Sequence, residues 1–245
     1  MIHKKTILIT GVLGGIGSAI AELFKERGWY VIGIDYKKSN GKKNFIDEFY
    51  NIDLSDPDEI ERLSIKIQEE EIRLGCVVNN AAIQISKNIL DTTVEEWNKT
   101  FDVNTRAAFL IAKFFHPALK KNKASIVNIS SVHSTATSLN IAAYAASKGA
   151  LSTLTRAMAL EFANDGIRVN TILPGAIDTD MLKDGLKRNK ITNENLAAKH
   201  PVGRIGVPND IAELIYFLAD NKKSAFITGQ EFIVDGGVLA RLSSE

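Results

Sequence analysis

The sequence predicts an α/β fold, a doubly wound parallel sheet with helices on both faces, spanning residues 1–245 as a single domain. Short β-branched runs alternate with longer helical patterns from one end of the chain to the other. The runs are apolar at consecutive positions, as expected of strands buried on both faces of a parallel sheet. No Pro/Ser-rich linker breaks the alternation. Right-handed crossovers then place ligands beyond the carboxyl ends of the strands.

The elements follow in order. Thr6-Ile7-Leu8-Ile9 reads as a buried strand, and residues 16–27 as a helix with Ile16, Ile20, Leu23 and Phe24 on one face. Tyr30-Val31-Ile32-Gly33-Ile34 is a second strand ending in Asp35. A weaker, more polar strand near residues 49–52 and a charged helix over 56–70 come next, then Cys76-Val77-Val78 as the fourth strand. A single long helix is expected over 94–121, the strand Ser125-Ile126-Val127-Asn128-Ile129 after it, and a helix over 144–163. Residues 168–173 read as a sixth strand, 208–219 as a helix and 231–234 as the last strand. The stretch 178–206, polar and rich in Lys and Asn, departs from the alternation. It is expected to be a substrate loop, since a long connection in a compact domain commonly serves as a lid or binding loop.

With 245 residues, 45% hydrophobic and 24% charged, the chain can bury a core without disulfide or metal. Thirty basic and 29 acidic side chains nearly cancel, to +1. That balance argues against a nucleic-acid or anionic-membrane partner, which would need clustered positive charge. The lone Cys76 excludes an internal disulfide and reads as a small buried hydrophobe. The four His have no ligand-like spacing, so no metal is expected. Only a four-residue apolar run precedes Gly11, short of the roughly 7–15 residues of a signal peptide or the roughly 20 of a membrane span. The expected location is cytoplasmic.

Thr10-Gly11-Val12-Leu13-Gly14-Gly15-Ile16-Gly17 lies where the first strand turns into the first helix. Glycines there permit a tight turn and let backbone N–H groups approach a pyrophosphate favoured by the helix N-terminus. Alone the pattern is weak; its place between a strand and a helix strengthens it. No Gly-Lys-Ser/Thr follows, so it is not a P-loop. Asp35 ends the second strand, where a carboxylate accepts hydrogen bonds from both hydroxyls of an adenosine ribose. It would repel a 2′-phosphate by about 4 kcal/mol per charge pair at ~4 Å and an effective dielectric of ~20. Gly14 offers that phosphate no cation, while Lys37 and Lys38 read as a solvated loop that could in principle serve NADP. NAD is the expected cofactor.

Tyr144 and Lys148 are spaced i, i+4 near the start of a helix and share a face. A neighbouring ammonium favours the tyrosinate, lowering the phenol from about 10 toward working pH. Such a tyrosine takes a proton from an alcohol or gives one to a carbonyl. Ser131 follows the fifth strand, Asn79-Asn80-Ala81-Ala82 follows the fourth at the same sheet edge, and Asn104 lies inside the long helix. Asn is a mediocre helix former, and taken alone Asn104 reads as a solvent-exposed helix residue.

Together these residues resemble the short-chain dehydrogenase/reductase family, in its single-domain branch of about 250 residues, nearly end to end. The family's Thr-Gly-x-x-x-Gly-x-Gly matches Thr10 to Gly17, which the resemblance makes a cofactor site through Gly11, Leu13, Gly14, Gly15, Ile16 and Gly17. Its adenine-side Asp matches Asp53, followed by Leu54, and its Asn-Asn-Ala-Gly matches Asn79 to Ala82, with Asn80 and Ala81 toward the cofactor. The catalytic Asn, Ser, Tyr and Lys map onto Asn104, Ser131, Tyr144 and Lys148. The residues flanking the nicotinamide map onto Pro174, Gly175, Ile177 and Thr179, and Val234-Asp235-Gly236-Gly237 resembles the C-terminal signature. The resemblance implies a Rossmann-type oxidoreductase moving a hydride between a nicotinamide cofactor and a secondary alcohol or ketone. Tyr144 would be the general acid/base, Ser131 would bind the substrate oxygen, and Lys148 would bind the nicotinamide ribose and bias Tyr144. Asn104 would hold a water that extends the proton path.

Ala82 stands where the family has Gly, which should shift the turn only slightly. Ser130 beside Ser131 leaves a one-residue ambiguity, resolved toward Ser131 by its thirteen-residue spacing to Tyr144. Gln84, His133, Asn140 and the segment 178–190, Met181 included, are candidate substrate residues and hint at a sugar or polyol. A 3-oxoacyl thioester reductase is the alternative, although Asp35 fits poorly with the NADPH usual there. A catalytically silent sensor or scaffold would have lost polar catalytic residues that this chain keeps. An extended-branch sugar-nucleotide epimerase would need more chain after Pro174. The resemblance also implies a homotetramer or homodimer, and apolar Ala142, Ala143, Ala146, Ala150, Leu151 and Leu154 permit a partner helix on the Tyr144 helix.

Overall fold

The computed structural model describes residues 4–39, 44–190 and 192–242. Its strands are β1 (Thr6–Thr10), β2 (Tyr30–Asp35), β3 (Glu48–Asn51), β4 (Leu74–Asn79), β5 (Ser125–Ile129), β6 (Arg168–Pro174) and β7 (Glu231–Val234). Among the described residues they form one parallel sheet in the order β3-β2-β1-β4-β5-β6-β7. The order reverses direction between β1 and β4, so crossovers leave β1 toward one edge of the sheet and β4 toward the other. A crevice opens there beyond the strand carboxyl ends.

The helices are α1 (Gly15–Glu26), α2 (Pro57–Glu69), α3 (Val94–Phe101), α4 (Ala107–Asn122), α5 (Ala142–Phe162), α6 (Asp180–Asn189), α7 (Asn193–Ala197) and α8 (Pro208–Ala219). Alternate strand residues feed opposite layers. Leu8 of β1 joins Ile60 and Leu63 of α2, Phe115 of α4 and Met158 of α5. Its neighbours Ile7 and Ile9 join Ile20 and Phe24 of α1 and Ile211 and Ile215 of α8. Every residue of β1, β4, β5 and β6 is buried, which explains their consecutive apolar positions. Cys76 is among them, and burial pushes its thiol up to about 12, as befits an unreactive core residue. At the opposite edge, Arg168 and Lys5 donate to the last carbonyls of α8, Leu218 and Ala219, where cations suit the helix dipole.

Two expectations are corrected. The helix expected over 94–121 is interrupted: α3 gives way to a π-helical turn, Asp102–Arg106, before α4 begins. Within it Asn104 is only 2% exposed, so it is not a solvated helix residue. The stretch 178–206 is not an irregular loop, because Thr179 and Thr192 each cap a helix, α6 and α7; Ile191 inside it lies outside the described residues.

Glycine is required where β1 enters α1. Gly11 has φ +65°, and a Cβ at Gly17 would sit 2.2 Å from the Gly11 carbonyl oxygen. Gly17→Ala is therefore expected to lose about 2–4 kcal/mol by chemical denaturation. Gly185→Ala in α6, where an added Cβ meets nothing within 4 Å, should gain about 0.5–1 kcal/mol.

Candidate active site at the carboxyl edge of the sheet

All strands run the same way, so the turns after β1, β2, β4, β5 and β6 gather on one edge. The turn after β1 is held by its neighbour. Thr10 Oγ1 accepts from the backbone N–H groups of Asn80 and Ala81 at 2.9 and 3.0 Å. The Asn80 side chain donates back to the carbonyls of Thr10 and Gly11 at 2.9 and 3.1 Å. Asn80 thus spends its amide on shaping the glycine turn. Ala82 keeps out of left-handed backbone, so the methyl that replaces the family's glycine hydrogen causes no strain.

The start of α1 has the chemistry of an anion site. Its N-cap, Gly14, contributes no side-chain hydrogen bond and the first turn carries no acidic residue. By contrast, Asp56, Thr93 and Thr179 cap α2, α3 and α6 with side-chain oxygens. The free N–H groups of α1 and its dipole suit a pyrophosphate. Thr179 lies against this turn, its Cγ2 2.9 Å from where a Gly15 Cβ would be. The 176–179 segment is fastened by Gly206 N–H to Ala176 O and Asp178 N–H to Gly206 O, and Ile177 is buried. Gly175 N–H donates to Val234 O at 2.9 Å. Asp235 closes the C-terminal turn by accepting from Gly237 and Leu239 N–H.

Asp35 is buried, and its two oxygens accept from Leu13 N–H and Lys37 N–H, each at 3.0 Å. Each oxygen retains acceptor capacity for a ribose hydroxyl. Asp53 turns onto Ser55, whose N–H and hydroxyl hold its carboxyl below the usual carboxylate range. Leu54 is packed in the core beside Ile60.

Ser131, Tyr144 and Lys148 converge beyond β5, at 6%, 7% and 2% exposure. Ser131 caps a short 3-10 turn, Val132–Ser134, by accepting from His133 N–H at 3.2 Å. The Lys148 ammonium donates to Ile129 O at 2.7 Å and lies 5.7 Å from the Tyr144 ring centroid. Ser130 faces the other way: its hydroxyl donates to Lys148 O and accepts from Ser152. The serine beside Tyr144 is Ser131. Asn104 accepts from Ile83 N–H and donates to Ile83 O and Ser147 Oγ. Its side chain thereby ties the π-helical turn to Ile83 and to the turn of α5 that carries Tyr144.

The electrostatics correct one expectation. Spacing suggests an ammonium that lowers the Tyr144 phenol, yet in the cofactor-free protein burial raises it, offset in part by the Ser131 side chain. Burial also pushes Lys148 down to about 7. Burial disfavours the charged form of each, the tyrosinate and the ammonium.

Of the candidate substrate residues, His133 presents its ring edge-on to Tyr144, with centroids 6.1 Å apart. Burial lowers its pKa, offset in part by a backbone hydrogen bond at Ala136, and its Nδ1 is buried without a hydrogen-bond partner. Gln84 follows Ile83 directly and donates weakly to Ser86 Oγ at 3.4 Å. Met181 is 40% exposed on α6. Asn140 is exposed with φ +65°, a backbone that selects Asn for its own reasons. Sequence reasoning missed Ser147 and Thr105, whose hydroxyls bond within and to the Tyr144 turn. It also missed Arg106, which donates to Ser55 O. Among the described residues no helix is long and apolar enough to cross a membrane and no three His, Cys, Asp or Glu cluster as metal ligands.

The family description "Enoyl-(Acyl carrier protein) reductase" matches residues 11–239. A 3-oxoacyl-[acyl-carrier-protein] reductase of Vibrio cholerae is 35% identical over 97% of this chain and 98% of its own. Among solved structures, the ligand-free aldohexose dehydrogenase of Thermoplasma acidophilum aligns with a TM-score of 0.91 and 31% identity, covering 98% of this chain and 96% of that one. A 4-hydroxyisoleucine dehydrogenase complexed with NADH aligns at 0.89 and 33%, covering 97% and 100%. ElxO with NADP bound aligns at 0.87 and 30%, also covering 97% and 100%.

The buried lysine predicts how stability depends on pH. Between about 7 and the ordinary 10.5, the unfolded chain holds a proton on Lys148 that the folded chain lacks. Cofactor-free stability should therefore rise with pH from about 7 to 9 and be lost as pH falls back toward 7. Above that, Cys76 and Tyr144, both raised, oppose the rise. Denaturation of Lys148→Met should show no such rise and a gain of about 1–3 kcal/mol at pH 7.

Proposed function

The chain belongs to the short-chain dehydrogenase/reductase family of oxidoreductases, and from that premise we propose an NAD-dependent dehydrogenase or carbonyl reductase of a secondary alcohol or ketone. The observation that carries this reading is the convergence of Ser131, Tyr144 and Lys148 on the edge where α1 presents an uncapped N-terminus. The nicotinamide, when bound, supplies or accepts the hydride. Gly11, Leu13, Gly14, Gly15, Ile16 and Gly17 would hold its pyrophosphate side, Asp35 the adenosine ribose, and Asp53, Leu54, Asn80 and Ala81 the adenine side. Pro174, Gly175, Ile177 and Thr179 would flank the nicotinamide.

Ser131 Oγ orients the substrate oxygen, and Tyr144 Oη gives a proton to that oxygen in reduction or takes one in oxidation. Lys148 is the charge reserve. An anion bound nearby would offset its desolvation, so that the amine takes a proton from solvent and the resulting ammonium draws the phenol downward. Asn104 acts by fixing Ile83 and the Tyr144 turn.

A sugar or polyol substrate is supported by Gln84 and the unpartnered His133 Nδ1 near Tyr144, and by likeness to an aldohexose dehydrogenase. A second reading, reduction of 3-oxoacyl thioesters, is favoured by likeness to the Vibrio cholerae reductase. NAD is favoured over NADP by the buried Asp35 carboxylate. We further propose a cytoplasmic homotetramer or homodimer. Phe109 of α4 and Leu160 of α5 stay 45% and 81% exposed, and Ala146 on α5 is exposed as well, whereas Ala143 and Leu151 are buried within the fold.

Turnover of sugars, polyols and acetoacetyl thioesters with each cofactor tests the substrate reading. NAD at about 100 times its Kd should stabilise the protein by about 2.7 kcal/mol, and greater stabilisation by NADP at equal concentration would overturn the cofactor assignment. Tyr144→Phe should lower kcat by about 10²–10⁴-fold with NADH affinity unchanged. Ser131→Ala should lose turnover, while Ser130→Ala should chiefly lose stability, having given up two buried hydrogen bonds; the reverse pattern would exchange the two serines.

A further inference from the structure

The turn of α5 that carries Tyr144 and Lys148 is gripped from two sides. On the β5 side Ser130 Oγ donates to Lys148 O and Lys148 Nζ to Ile129 O. On the other side stands the π-helical turn Asp102–Arg106. Ser147, wholly buried and between the two reactive residues in sequence, donates Oγ–H to Tyr144 O at 2.7 Å and accepts from Asn104 Nδ2 at 3.0 Å. Thr105 Oγ1 donates to the Ser147 carbonyl at 2.9 Å. Asn104 is in turn fixed to Ile83 by two hydrogen bonds.

A π-turn adds a residue to the helix and shifts its hydrogen-bond register, which is why such turns collect at functional sites. Here it turns Asn104 and Thr105 toward one residue of α5. Ser147 is thereby the only residue of the Tyr144–Lys148 turn bonded through both its side chain and its carbonyl to the π-turn, among the described residues.

We propose that Ser147, clamped by Asn104 and Thr105, is a positioning residue that sets the placement of Tyr144 against Lys148. The proposal rests on Tyr144 being the proton-transfer group. The clamp touches neither the phenol nor the ammonium; it fixes the backbone that aims them. Misplacement of about 1 Å costs up to about 100-fold in rate, and a looser turn weakens the hold of Lys148 on the Tyr144 proton.

The test compares Ser147→Ala, Thr105→Val (an isosteric loss of one hydrogen bond), the double variant and Tyr144→Phe in the full chain. Each single variant should lower kcat about 5- to 30-fold while substrate KM and NADH affinity, read by fluorescence, stay within twofold. The limb of kcat/KM that rises with pH in the oxidative direction should move up by at least half a pH unit. The double variant should fall little below the worse single one, since both open one clamp. If Tyr144→Phe is inactive while both single variants keep kcat within twofold and the same pH limb, the clamp proposal is overturned and the Tyr144 reading survives. If Tyr144→Phe turns over like wild type, both fall. Thr105→Val keeps the test decisive should Ser147→Ala fold poorly.

Discussion

Lys148 places its side-chain nitrogen in the interior, where among the described residues no carboxylate pairs with it. The side chain is 2% exposed, and its nitrogen rests on the Ile129 carbonyl at the end of β5. Burial alone accounts for its depressed pKa of about 7. A cation so placed is costly, and the Ile129 carbonyl offsets part of that cost. The phenol beside it is held neutral by the same desolvation. Burial thus works against charge on both groups, and an anion placed near them would favour the ammonium.

That constraint explains the packing around it. Ser130 and Ile129 fix Lys148 from the strand side, and Ser147 with the π-turn fixes it from the helix side. Arg106 of the same π-turn donates to Ser55 O, beside the Asp53 turn. One irregular turn of five residues thus ties α5, the segment after β4 and the 53–55 turn together. Rigid supports of this kind let a reactive pair keep one geometry without a charge partner of its own.

Much of this was legible in the sequence. Apolar runs marked the central strands because both their faces are buried, and the glycines of Thr10 to Gly17 marked the tight turn into α1 because only glycine fits at Gly11 and Gly17. The i, i+4 spacing showed that Tyr144 and Lys148 share a helix face, and the company of Ser131 and Asn104 singled the pair out. The π-turn was not, since the apolar pattern continues on both sides of it and a one-residue slip in hydrogen-bond register leaves no periodic trace. Asn104 looked solvated for that reason. The protonation states were hidden too: spacing shows that two groups are neighbours, but desolvation depends on what covers them. The polar composition of 178–206 suggested a loop, while the capping threonines Thr179 and Thr192 were the signal for helices there.

If Lys148 gives up its proton in the empty site and regains it with the cofactor, binding must draw a proton from solution. Calorimetry of NADH binding at pH 8 in buffers of different ionisation enthalpy measures this directly. Tyr144→Phe is the protein to use, so that phenol ionisation does not cancel the signal. From a pKa of about 7, uptake close to one proton is expected, falling to near zero when Lys148→Met is added. No uptake in Tyr144→Phe, or the same uptake with and without Lys148, would contradict the account.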